Sequence, residues 1–260
     1  MTARRVRTLC SLAAVVLTVA CTSYYEIPIE TSIRPKLDVS AFQRVLVAGF
    51  IAGGTEDVDG NLETTRLLRS QLRTKSEMRV IDADVLPLVE VASEARERAE
   101  PAGNDSTSVD EPTGLGLIKE DEDLERYEHV FADVEYWKRI GEEYQQPLII
   151  TGTVMFAPQQ RSGVVQRDQE VFDAVGRRRV IPTRTYQERK GFVLKPRFIF
   201  IDGRTGTVMH SENFREEVLY NANQTTPALS SYFELMDRLI PGFLSALSSQ
   251  TIKGTRVLLQ

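Results

Sequence analysis

Few side chains in this 260-residue sequence can act as nucleophiles, redox centres or transition-metal ligands: there are two cysteines, Cys10 and Cys21, and two histidines, His129 and His210. The histidines fall in different expected elements. His210 alternates with strand neighbours and reads as a surface or half-buried strand residue. Gly53, Gly54 and Gly60 follow an apolar run, as in a phosphate loop, but no Gly-Lys-Ser or Gly-Lys-Thr closes it and no Gly-x-Gly-x-x-Gly occurs. Asp57-Val58-Asp59-Gly60 resembles part of a calcium loop only superficially. With Gly60 at the sixth place, Arg66 holds the twelfth, where a carboxylate must stand. The run Glu120-Asp121-Glu122-Asp123 lies in a polar flank and reads as solvent-facing charge. No metal, cofactor or catalytic residue is expected.

Positive charge is the exception in an acidic chain of formal charge −5. Arg161, Arg167, Arg177, Arg178, Arg179, Arg184, Arg189 and Lys190 crowd into one segment. One reading is a solvated edge hairpin. The other is a docking surface for an acidic partner or an anionic envelope polymer, with Arg177, Arg178, Arg179 and Arg184 as candidate contacts. A basic nucleic-acid footprint is absent from the chain as a whole.

Cys21 has the most distinctive setting. Arg4, Arg5 and Arg7 precede an apolar run over residues 9–20, and the cysteine follows. That is the layout of an export signal. The run is about a dozen residues, whereas a helix needs roughly 20 to cross the hydrocarbon core, so it is not a permanent span. Leu17-Thr18-Val19-Ala20-Cys21 resembles the lipobox of bacterial lipoproteins, which implies cleavage before Cys21 and acylation of its thiol; Thr18 stands where most lipoboxes carry Leu. Two or more acyl chains anchor a protein stably, at about 0.8 kcal/mol per buried CH₂. Thr22 rather than Asp follows the cysteine, and the resemblance to sorted lipoproteins then implies the outer membrane in a two-membrane cell. Loss of the signal leaves a mature charge of about −8 and no cysteine to pair, so the domain must stand on its hydrophobic core.

The remaining order is set by apolar period and punctuation. Residues 21–41, with Pro28 and Pro35, read as a lipidated tether. A domain over residues 42–260 opens with the strand Arg44-Val45-Leu46-Val47-Ala48-Gly49-Phe50. A helix over residues 62–74 follows, with Asn61 as N-cap, then a strand over residues 78–81 and a short helix from near Asp84. Residues 96–123 read as a disordered insertion on composition. A helix beginning near Asp133 carries the stripe Trp137, Ile140, Gly141, Tyr144. A core strand over residues 148–156 leads into a two-stranded excursion, residues 157–190, turning at residues 173–176, where Pro182 marks an edge. A hairpin then turns through Asp202-Gly203-Arg204-Thr205-Gly206, with Phe192, Leu194, Phe198 and Phe200 on one face. The last helix starts after Thr226-Pro227, and Pro241 is expected to bend or split it. Residues 256–259 are a candidate terminal strand. The fold class is α/β: a single domain with a mixed sheet flanked by helices, a protruding edge hairpin and the insertion.

The opening strand Val45-Leu46-Val47-Ala48-Gly49-Phe50, the helix after it, Arg79-Val80-Ile81-Asp82, Ile150-Thr151-Gly152-Thr153-Val154 and Ile201-Asp202-Gly203-Arg204-Thr205-Gly206-Thr207-Val208 together resemble the TolB N-terminal-domain-like group of envelope proteins, which includes CsgG and LpoB. These are fold signatures. Gly152 permits a close approach in a central strand, and the Asp202 segment supplies turn chemistry. The resemblance implies a non-enzymatic adaptor or an assembly and activation factor for another envelope protein, lipid-anchored and facing the periplasm. The Arg-dense excursion does not suit a membrane barrel. The competing expectation is a periplasmic ligand-binding or hydrolytic domain, recognisable by a cleft that gathers carboxylates with His210. Changing Cys21→Ser is expected to abolish fatty-acid labelling and to move the protein from the membrane to the soluble fraction.

Overall fold

The computed structural model describes residues 24–99, 118–172, 176–221 and 223–259. The expected signal and Cys21 lie outside them, as does most of the expected insertion. The described chain divides into a main unit, Lys36–Leu247, and a separate ribbon unit.

The main unit is a mixed sheet with helices on both faces. Its strands are β2 (Arg44–Gly54), β3 (Arg79–Val80), β4 (Leu148–Phe172), β5 (Arg178–Asp202), β6 (Val208–Asn213) and β7 (Glu216–Asn221). The order is β3-β2-β4-β5-β6, with β7 also on β5. β2 runs parallel to β3 and β4, whereas β5 is antiparallel to β4, β6 and β7. Helices α1 (Gly60–Lys75) and α6 (Ala228–Leu247) cover one face. Helices α2 (Leu88–Ala99), α3 (Asp121–Glu125), α4 (His129–Ala132) and α5 (Val134–Glu143) cover the other.

Strand alternation distributes the core between these faces. Ile150, Val154, Phe156, Leu194, Phe198 and Phe200 enter the first cluster, and Ile149, Met155, Ile199 and Ile201 enter the second. In β2, Val45 and Val47 join the first cluster, yet so does Phe50. The parity changes because the register against β4 shifts between Val47 and Gly49. One extra residue re-aims every later side chain. Aromatic edges complete the first cluster: Phe198 meets Phe243 at 4.9 Å and Phe50 at 5.9 Å between centroids.

Two local details follow from backbone chemistry. Gly152 has φ +144°, and a Cβ there would lie 1.8 Å from the Arg197 carbonyl oxygen, so this central strand tolerates only glycine. Pro196 accepts from the Phe214 N–H at 2.9 Å but has no N–H to return, and the partner edge breaks there into β6 and β7. The hairpin turn forms as expected. Asp202 oxygen atoms accept from the Arg204 backbone N–H and from its guanidinium, both at 2.8 Å for the shortest contacts, while that guanidinium sits 4.8 Å above the Phe42 ring.

Several expectations are corrected. Asp59, not Asn61, caps α1, accepting from the Leu62 N–H at 2.9 Å. Asn61 instead accepts from the Phe50 N–H at 2.7 Å, tying the helix start to β2. The second helix begins at Leu88, after Pro87, rather than near Asp84. It runs through Ala99, Ile118 is buried and the next helix starts at Asp121, so residues 96–99 and 118–123 of the expected insertion are structured. α3 and α4 precede the helix capped by Asp133. Pro241 does not split α6, which continues through Leu247, and it lies on the helix's exposed side.

Part of the expected tether is also structured. β1 (Tyr24–Ile33) pairs antiparallel with β8 (Gln250–Leu259) along its whole length, forming the ribbon unit. The candidate terminal strand is thus longer than residues 256–259.

The glycine contact gives a direct test. Gly152→Ala should lower stability in urea melts by about 3 kcal/mol, the scale of overpacking plus backbone strain. Gly163→Ala, with nothing within 4 Å of the added carbon, should stay within about 0.5 kcal/mol of the parent.

Candidate interaction surface

The basic excursion is the outer half of the β4–β5 ladder. The register continues without a shift from Leu148↔Asp202 to Phe172↔Arg178, while the pairing of β4 with β2 ends at Phe156 and that of β5 with β7 at Arg189. From Ser162↔Glu188 outward the protein is a two-stranded ribbon about 35 Å long at ~3.3 Å per residue. Pro182 is therefore at an edge, as expected.

Directly opposed residues share a face, which sorts the charges. One face carries Val164 opposite Tyr186, Gln166 opposite Arg184, Asp168 opposite Pro182, Glu170 opposite Val180 and Phe172 opposite Arg178. Its charges are mixed, and Arg178 pairs with Glu170. The other face carries Arg161 opposite Arg189, Val165 opposite Thr185, Arg167 opposite Thr183, Gln169 opposite Ile181 and Val171 opposite Arg179. Every charged residue at these positions is an arginine. At the ribbon's root this face meets β7, where Arg161 donates to Glu217 at 2.8 Å. Large apolar side chains stand in solvent along the ribbon, among them Phe172 at 67% and Tyr186 at 66% exposure.

The four candidate contacts are therefore not one patch. Arg178 and Arg184 share the mixed face, Arg179 belongs to the arginine face, and Arg177 precedes β5. The single-signed set is Arg161, Arg167, Arg179 and Arg189. Composition reveals the cluster, but only the register reveals this division.

The other chemical candidates are dispersed. His129 bonds through Nε2 to the Ala92 carbonyl at 2.9 Å. His210 lies half-buried on β6, stacked on Phe200 at 5.9 Å, with its Nε2 3.6 Å from Glu212, which also pairs with Lys36. A cleft of about 640 Å³ opens where β2 ends and α1 and α2 begin; Glu56, Asp59 and Glu90 line it, and His210 does not. A second, of about 490 Å³, lies at the root of the ribbon beside Gln160, Lys190, Phe192 and Tyr220. Among the described residues no group of three or more His, Cys, Asp or Glu side chains is placed to hold a metal ion, and no helix is long and apolar enough to cross a membrane.

No protein-family model and no curated protein sequence matches the chain. Among solved structures, lipoprotein GNA1162 from Neisseria meningitidis is similar at 9% identity and a TM-score of 0.34, covering 77% of this chain and 97% of that one. A neuraminyllactose-binding hemagglutinin homolog from Helicobacter pylori is similar at 13% identity and a TM-score of 0.33, covering 85% and 92%. Similarities this loose define neither a family nor a function.

Hydrogen bonds from Arg204 hold the Asp202 carboxyl below the usual carboxylate range, against the opposing effect of burial. A depressed folded pKa adds stability that is complete above the unfolded value near ~3.9 and fades as pH falls through the folded one. Acid melts of the parent and of Asp202→Asn should therefore converge below about pH 4. A constant gap between them down to the lowest pH would show that the ion pair contributes nothing.

Proposed function

We propose that this chain is a lipid-anchored envelope protein, facing the periplasm from the outer membrane, that works as a non-enzymatic adaptor or assembly factor by holding an acidic envelope protein on its β4–β5 ribbon. The observation that carries the reading is the arginine face. Arg167 and Arg179 stand with Val165, Val171 and Ile181 on one face of a ribbon that projects beyond the flanking strands of an acidic protein, and Arg161 and Arg189 continue that face at its root. A two-stranded ribbon with little cover is marginal on its own, so its length favours a partner that lends it contacts. Arginine among aliphatic side chains offers a partner both steering and burial. The signal-like N-terminus and Cys21 supply the address.

A ligand-binding or hydrolytic role remains the second reading, and the carboxylate-lined cleft at the end of β2 is the observation in its favour. Partner capture separates the two. In whole envelopes, crosslinking followed by identification of the attached protein should recover one dominant acidic partner. Reversing Arg167 and Arg179 to Glu should cut that capture at least about tenfold, as expected when two steering charges change sign, with the melting temperature nearly unchanged. The Arg177, Arg178 and Arg179 triple reversal should weaken it as well. Undiminished capture in both variants would remove the ribbon from the mechanism.

A further inference from the structure

We propose that the β1–β8 ribbon lies on the bilayer, its isoleucine-rich face turned to the lipid; this rests on the reading of Cys21 as the acylated residue. The register places Ile27 opposite Arg256, Ile29 opposite Gly254, Thr31 opposite Ile252 and Ile33 opposite Gln250 on one face. The other face pairs Glu26 with Val257, Pro28 with Thr255, Glu30 with Lys253 and Ser32 with Thr251. The first carries all four isoleucines and one charge; the second carries three charges, with Pro28 and Val257. Ile29, Ile33 and Ile252 are 41%, 46% and 56% exposed, and Ile27 is half-buried. Across the polar face Lys253 donates to Glu30 at 3.1 Å. A lone two-stranded ribbon of this kind is marginal in water and gains most from a surface that removes its apolar side from solvent.

Chain position decides which surface. Tyr24 begins β1 three residues after Cys21, so an acyl anchor there holds the ribbon's start within about 10 Å of the headgroups. Any other partner must compete with a surface supplied at the effective concentration of a short covalent link. Glu26 and Glu30 balance Lys253 and Arg256, so the attraction is apolar and needs no anionic lipid. Arg256, the one charge on the isoleucine face, can lay its stem along the surface and keep its head in water.

The test uses full-length, processed and acylated protein in vesicles of phosphatidylethanolamine with phosphatidylglycerol. Cys10 leaves with the signal and Cys21 is blocked, so an introduced cysteine is the sole thiol for a nitroxide label. Ile29→Cys, Ile33→Cys and Ile252→Cys report the isoleucine face; Glu30→Cys and Lys253→Cys report the other. Fluorescence of Trp137, the sole tryptophan and fully buried, verifies that the main unit of each variant has folded, and proximity broadening in the doubly labelled Glu30→Cys/Lys253→Cys variant verifies the β1–β8 pairing. The isoleucine-face labels should show an oxygen-to-nickel-chelate accessibility ratio at least threefold above the polar-face labels, unchanged when the phosphatidylglycerol fraction is varied. Equal access of nickel chelate to both faces overturns the proposal. So does spin–spin broadening between copies with the isoleucine face shielded from both reagents, which would assign it to a second copy. Intact mass of the same sample reads the anchor independently: a missing acyl group sinks the anchor, whereas an acylated protein with both faces in water sinks only the seating of the ribbon.

Discussion

The β4–β5 ladder is the constraint on which the rest of the main unit depends. One unbroken register serves two environments: its inner half is the centre of the sheet and its outer half is the projecting ribbon. Because side chains alternate with a period of two, a slip of one residue would exchange the two faces everywhere at once. The core forbids that slip, since Phe198 and Phe200 must meet α6 while Ile199 and Ile201 meet the opposite helices. Packing deep in the sheet thereby decides which arginines stand together far from it.

That transmission is rigid because the buried half is fixed by backbone as well as by side chains. Gly152 brings β4 against Arg197, and at the far end of the ladder Gly141 of α5 lies so close to the Gly203 carbonyl that a Cβ would fall 1.7 Å from it. Asp202, Arg204 and Phe42 hold the adjoining turn. The outer half has no comparable cover. The result is a firmly held base carrying a solvent-exposed arm, which sets the distance of the arm's arginine face from the domain.

Features with a local cause were legible in the sequence. The apolar runs of β2, β4 and β5, the helix start near Asp133, the Asp202 turn, the close approach at Gly152 and the edge position of Pro182 each follow from a few adjacent residues. Features that need a distant partner were not. β1 alternates Ile27, Ile29 and Ile33, but its partner lies at the other end of the chain and Pro28 interrupts the pattern, so the segment reads as tether. Asn61 looks like a cap because its use, the Phe50 amide, lies in another element. The same limit applies to the ribbon: its basic composition is plain, whereas the segregation of Arg161, Arg167, Arg179 and Arg189 onto one face requires knowing which residues oppose each other.

Pro182 has a further consequence for how copies of this protein can meet. By strand alternation it shares the outward orientation of Pro196, whose carbonyl points away from β4. Its ring therefore deletes a donor from the free border of β5. The border of β4 beyond Pro158 has no such interruption. Strand addition is therefore less favourable along the β5 border than along the β4 border. An exposed arm of this length would ordinarily invite strand addition along both borders; one ring interrupts the donor row on one of them.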